Sequence, residues 1–192
     1  MPKYTGPIDI DGGGMILIDD GVFPPAFAED LGSSKFSGRW IGSAVCIRKT
    51  WHDIGPAGSD WGQIISPKLL FRLGGTGPWN SFGILITSAM LHTYIGGTGS
   101  YTIGLGTNNS PPTVNRNILN PGLLATGPNR RIGSDPLLDY DPNYERGRLV
   151  DNTHNPMLMI YWDGTTLTSG PTGGVSAVAF GVIVPDPKVA GS

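Results

Sequence analysis

Breakers of regular structure recur every few residues along this chain, and that spacing limits what it can fold into. Thirty glycines and 17 prolines punctuate 192 residues. Proline cannot continue a helix or donate to a sheet ladder, and glycine weakens both elements. Helices of ordinary length do not fit between these breakers. Short strands do. Runs rich in β-branched and aromatic residues fill the gaps at 39–49, 61–66, 68–73, 82–87, 90–95, 100–105, 148–151, 157–162 and 175–184. Nine or ten short strands with sharp connections predict an all-β fold, a sandwich or barrel, of which an antiparallel β-sandwich is the reading taken.

Within 39–49, alternation sets Ile41, Val45 and Ile47 on one face and Trp40, Ala44 and Cys46 on the other. The run 175–184 is apolar on both faces, which suits a central strand or a subunit interface. Hydrophobic residues make up 39% of the chain, enough for one core. The domain is expected at 37–192, and residues 1–36 read as an N-terminal arm. That arm is broken by Gly12-Gly13-Gly14 and Pro24-Pro25. Within it, residues 15–18 suit one short strand. Residues 25–32 suit one helical turn, with proline at its start and glycine at its stop.

Residues 107–146 form a second irregular stretch. Prolines at 111, 112, 121, 128, 136 and 142 exclude a long helix or a central strand. A segment this long without regular structure is uncommon in a compact domain, and its leucines and isoleucines need a surface to cover. A local echo joins two of the strands. Leu73-Gly-Gly-Thr-Gly-Pro78-Trp79 recurs as Ile95-Gly-Gly-Thr-Gly-Ser100-Tyr101. Each copy predicts a tight glycine turn between strands. No lysine and helix follow them as a phosphate loop requires.

Charge excludes several functions. Charged residues are 15% of the chain against a usual quarter, and the net charge is −2. Neither half is basic, so no nucleic-acid partner is expected; Arg130, Arg131, Arg146 and Arg148 read as loop or salt-bridge residues. No apolar run is long enough for a membrane helix. Residues after Met1 lack the apolar stretch of an export signal, so synthesis in the cytoplasm is expected. The single Cys46 excludes an internal disulfide and reads as a buried thiol.

Catalytic patterns are sparse, and the chain reads as a non-enzyme. No Gly-x-Ser-x-Gly elbow occurs, and His52, His92 and His154 are scattered. One cysteine and three separated histidines give no zinc spacing. Only Glu29 and Glu145 supply glutamates for a glycosidase pair. The best cation signal is Asp139-Tyr140-Asp141-Pro142-Asn143-Tyr144-Glu145, where Asp139, Asp141 and Asn143 place oxygens at alternating positions. Alternation lets a curled loop turn them toward calcium, although the sixth and twelfth positions depart from the EF-hand pattern. Asp9-Ile10-Asp11-Gly12 is a weaker version of that signal. No other cofactor is expected. Trp51, Trp79 and Trp162, each beside a polar residue, are candidate sugar-stacking surfaces.

In overall style the chain resembles bacteriophage virion proteins: rich in Gly, Pro and Asn, low in charge, built of short strands with extended arms. The resemblance implies a jelly-roll-like or other β-sandwich body and a structural role in a capsid, a decoration layer or a tail. It also implies a homo-oligomer and contacts with other virion proteins. The alternative is a glycan-binding module of a host-contacting fibre, calcium-dependent through Asp139, Asp141 and Asn143. A polysaccharide-acting enzyme is the third reading.

Overall fold

The computed structural model describes residues 15–33, 38–52, 68–73, 82–108, 115–119, 124–133, 147–152, 157–163 and 173–185. These form nine strands and one helix in the order β1 (Met15–Asp19), α1 (Pro25–Gly32), β2 (Ala44–Trp51), β3 (Lys68–Arg72), β4 (Phe82–Asn108), β5 (Asn115–Leu119), β6 (Leu124–Gly133), β7 (Arg148–Val150), β8 (Met157–Asp163) and β9 (Gly173–Pro185). The all-β expectation holds. All strand pairs are antiparallel except β1 with β2, which run parallel.

The strands form two sheets joined by β4. In the first, β1, β2, β9 and β4 lie in that order, with β6 and β7 on the far side of β4. In the second, β3 pairs β8, and β8 and β5 both pair the C-terminal part of β4. Side chains from both sheets and from α1 enter one hydrophobic core.

β4 joins three runs that the sequence separates. The first break is a bulge: Ile86 faces Gly181 and Ser88 faces Phe180, leaving Thr87 extra. The bulge resets the inside-outside alternation. Phe82, Ile84 and Ile86 before it and Ala89 and Leu91 after it are all buried in the core. The second break is the Gly-Gly-Thr-Gly run at 96–99, expected as a turn. It continues as strand instead. Against β6 the register moves from Ile95–Gly127 to Ser100–Ala125, so three residues of β4 go unmatched there. The strand passes from one sheet to the other at this place, and glycine-rich bulges are how a strand turns such a corner. The first copy of the echo, after Leu73, lies outside the described residues, as does the strand expected at 61–66.

Within the arm expected at 1–36, the short strand expected at 15–18 and the helical turn expected at 25–32 both form, and both pack on the body; residues 1–14 and 34–37 lie outside the described residues. β1 is hydrogen-bonded to β2, with Ile16 beside Val45 and Ile18 beside Ile47. Ile16, Ile18 and Phe27 are buried. Two short apolar runs between breakers carry enough apolar surface to be held by the body. α1 begins on Pro25, whose fixed φ suits a first helical turn. Phe27 packs its ring on Phe23 at 5.3 Å and on Trp40 at 5.1 Å. Trp40 Nε1 donates to Asp30 at 2.6 Å, tying the segment before β2 to the helix. Residues 38–43 are turns and not strand: the Ile41 amide donates to Gly38 and that of Ser43 to Trp40. Ile41, expected on one strand face with Val45 and Ile47, is exposed while they are buried.

The irregular stretch expected at 107–146 is corrected at two places. β5 and β6 both pair β4. The proline rule survives: β6 pairs only β4 among the described strands, and the register slips between Ile95 and Thr93 where Gly127 and Arg130 face them. Pro128 sits in that slip, between the paired positions Gly127 and Arg130.

Candidate assembly surface

The first sheet has one face on the core and one face turned away. Register assigns the residues to each. Ile16, Val45, Gly181 and Ile86 form one core-side row, and Ile18, Ile47, Ala179 and Ala89 the next. The alternate positions form the outer face, row by row. Met15, Ala44, Val182 and Leu85 make the first row; Leu17, Cys46, Phe180 and Ser88 the second; Asp19, Arg48, Val178 and Met90 the third. A fourth row holds Thr50, Ser176 and His92, and Tyr94 stands opposite Gly174 beyond it.

Two of these rows are largely apolar and the third is half so, and several of their side chains meet solvent. Met15 is 38% exposed, Met90 and Phe180 40%, and Tyr94 48%. These are four of the seven large hydrophobic residues exposed among the described ones, so the exposure is concentrated on one face. Contiguous exposed apolar surface of this kind marks an interaction site.

Among the described side chains of the face, the fixed charges are paired. Arg48 Nη2 and Nε meet the two carboxylate oxygens of Asp19 at 2.7 and 2.9 Å. Both side chains are about half exposed, so this bidentate pair fixes geometry more than it adds stability. Cys46 lies in the middle of the face. Burial pushes its thiol above the ordinary value, Arg48 pulls it down, and Asp19 pushes it up. The fourth row is polar: Thr50 Oγ1 and Ser176 Oγ share a hydrogen bond of 3.0 Å.

Other candidate residues fall elsewhere. Trp51, a candidate sugar surface, is buried in the core, with the Lys49 ammonium 5.6 Å from its ring centre; a buried ring cannot stack on a sugar. Trp162 lies in β8 opposite Ile103. Trp79 lies outside the described residues, and so do Asp139, Asp141, Asn143, Glu145, Arg146, His154 and Asp9-Ile10-Asp11-Gly12. His52 is exposed beyond β2, and His92 is half-buried on the outer face. Arg148 lies in β7 opposite Ile86. Among the described residues no three His, Cys, Asp or Glu side chains gather as a metal site. None of the described helices is long and apolar enough to cross a membrane.

Sequence reasoning marked 175–184 as apolar on both faces but missed Met90 and Tyr94 as its neighbours. The bulge at Thr87 decides which side of β4 they take, and nothing in the local pattern announces it.

No protein-family model matches the chain. No curated protein sequence matches it either. Among solved structures, it is similar to a chain of the cryo-EM structure of Mud Crab Dicistrovirus, at 10% identity and a TM-score of 0.28, over 85% of this chain and 79% of that one. It is also similar to a chain of infectious bursal disease virus Gx strain, at 13% identity and a TM-score of 0.27. That match covers 78% of this chain and 42% of the other, so the chain spans about two fifths of that length. Likeness at these TM-scores carries no argument about fold or role.

Proposed function

We propose that this chain is a structural protein of a virion, a capsid, decoration or tail component that works by packing against other subunits. The observation that carries the reading is the apolar outer face of the first sheet, with Met15, Met90, Tyr94 and Phe180 turned to solvent. A rigid sheet presenting such a face loses little conformational entropy on docking, so burial of its side chains goes largely into affinity. Low charge density over the whole chain supports the same reading, because little colloidal repulsion opposes close packing of subunits. The body we assign is a jelly-roll-like sandwich of the two sheets around their common core.

Electron microscopy of the purified, untagged chain over a range of concentration and salt tests this. The reading expects ordered rings, shells or tubes. Dispersed single particles in every condition would count against it.

One observation favours the alternative of a glycan-binding module. The Tyr94 ring lies over Gly174, within 2.9 Å of where a side chain there would begin, and is half exposed one row along the face from the hydrogen-bonded hydroxyls of Thr50 and Ser176. A flat ring beside hydrogen-bonding groups is a surface on which a sugar stacks. A glycan array probed with the chain and with Tyr94→Ala separates the readings. Binding that the substitution abolishes supports the glycan module; no binding to any glycan removes it.

A further inference from the structure

We infer that the outer face of the first sheet is covered by the same face of a second copy, packed sheet on sheet about a two-fold axis. The inference rests on the packing role proposed above and names its partner.

The first argument is size. The face spans β1, β2, β9, β4 and the strands beyond β4. β1 and β2 run about 17 and 27 Å, and β9 and the part of β4 that pairs with it about 45 Å; with strands about 4.8 Å apart these four alone give a face of roughly 650 Å². A stable dimer contact buries about 800 Å² on each partner. The face is therefore of the right size to be one whole interface, with the contact centred on its apolar rows.

The second argument is charge. Among the described side chains of the face, the only fixed charges are Arg48 and Asp19, and they neutralise each other across a bidentate bond. A partner chosen by electrostatics would meet an unbalanced patch here. A second copy brings the same neutral pair and raises no like-charge opposition. A two-fold contact is also self-complementary in chemistry, since apolar rows meet apolar rows.

The third argument is architecture. Twisted sheets pack face to face with their strands about 30° apart, and interdigitated side chains fill a layer about 10 Å thick. Phe180, on the central strand β9, and Met90, on β4, stand in adjacent rows of the outer face and are the natural knobs for that layer. Neither supports the core of its own subunit, so both can be changed without emptying it.

Sedimentation velocity on the full chain tests the inference, from about 1 μM to about 100 μM. The wild type should sediment as a reversible dimer, alone or as the building block of larger species. Phe180→Glu combined with Met90→Glu should raise the dimer Kd by at least about 30-fold, the loss expected when central apolar anchors are replaced by charge. Leu69→Glu, an exposed apolar position on β3 in the other sheet, should leave it unchanged. Circular dichroism reports whether each variant is folded. Hydrogen exchange of the wild type needs no substitution: amides of 88–94 and 176–182 should slow as concentration rises. A wild type that stays monomeric throughout overturns the inference. So does an oligomer whose Kd ignores the double substitution; ordered assemblies under the microscope would then leave the packing role standing with a different contact.

Discussion

At the scale of single residues, the chain uses one device twice, with different outcomes. A tyrosine on one strand lies over a glycine on its neighbour. Tyr94 does this over Gly174 and stays half exposed; Tyr161 does it over Gly104 and is buried. The Tyr161 hydroxyl donates to the Leu119 carbonyl at 3.0 Å, tying β8 to β5 across β4. A methyl group at Gly104 would occupy the space of the Tyr161 ring. Gly104→Ala should therefore force the ring out and break that bond, costing about 2–4 kcal/mol from overpacking and a lost buried partner. Thermal unfolding should show Tm lowered by roughly 5–15 °C; an unchanged Tm would mean that the ring is not held there. In α1, Phe27→Ala removes a fully buried ring that packs on Phe23 and Trp40. The expected loss is about 3–5 kcal/mol in urea titration.

Cys46 gives a pH prediction at the same scale. Its thiol is pushed up, chiefly by burial, so the folded chain prefers the protonated form. Stability from that preference is complete below the ordinary thiol range and is lost as pH rises through the higher folded value. Urea titrations from neutral to alkaline pH should show the wild type losing stability faster than Cys46→Ala above the ordinary thiol range. Parallel curves would contradict it. The buried thiol was legible in the sequence, because Cys46 stands in an apolar run. Its row on the outer face was not, since that depends on pairing with β9.

At the scale of elements, what the sequence announced and what it hid divide along one line. Local signals were legible. The proline and glycine around 25–32 mark a helix, and α1 occupies those bounds. The two-sided apolar run marks a central strand, and β9 lies between β2 and β4. Long-range effects were hidden. Glycines that read as a hairpin turn at 96–99 serve as a corner within β4, because Ile95 and Tyr101 both find a partner on β6. The short strand expected at 15–18 forms, but its place in the body was hidden: Ile16 and Ile18 complete core rows begun by Val45 and Ile47. Asp139, Asp141 and Asn143 remain a sequence-level expectation of a calcium loop. The account of β1 carries its own prediction. Hydrogen exchange on the monomeric double variant Phe180→Glu, Met90→Glu should protect amides 16–19 nearly as well as those of β2, because β1 belongs to the body. Rapid exchange there would restore the reading of an arm ordered only by neighbouring subunits.

At the scale of the whole molecule, one core holds two sheets together, and the surplus apolar surface lies on the outer face of one of them. That arrangement is what a packing subunit needs: a body that folds by its own burial and a face that associates by the same physics. The contact proposed above is apolar and its described charges are paired, so assembly through it is expected to be independent of calcium. The measurement closest to this claim is the solution mass of the untagged chain by light scattering across concentrations, once with calcium and once with a chelator. The account predicts a multiple of the 20.3 kDa chain mass that rises with concentration and is the same in both conditions. A mass that stays at one chain in both, or that rises only with calcium, would contradict it.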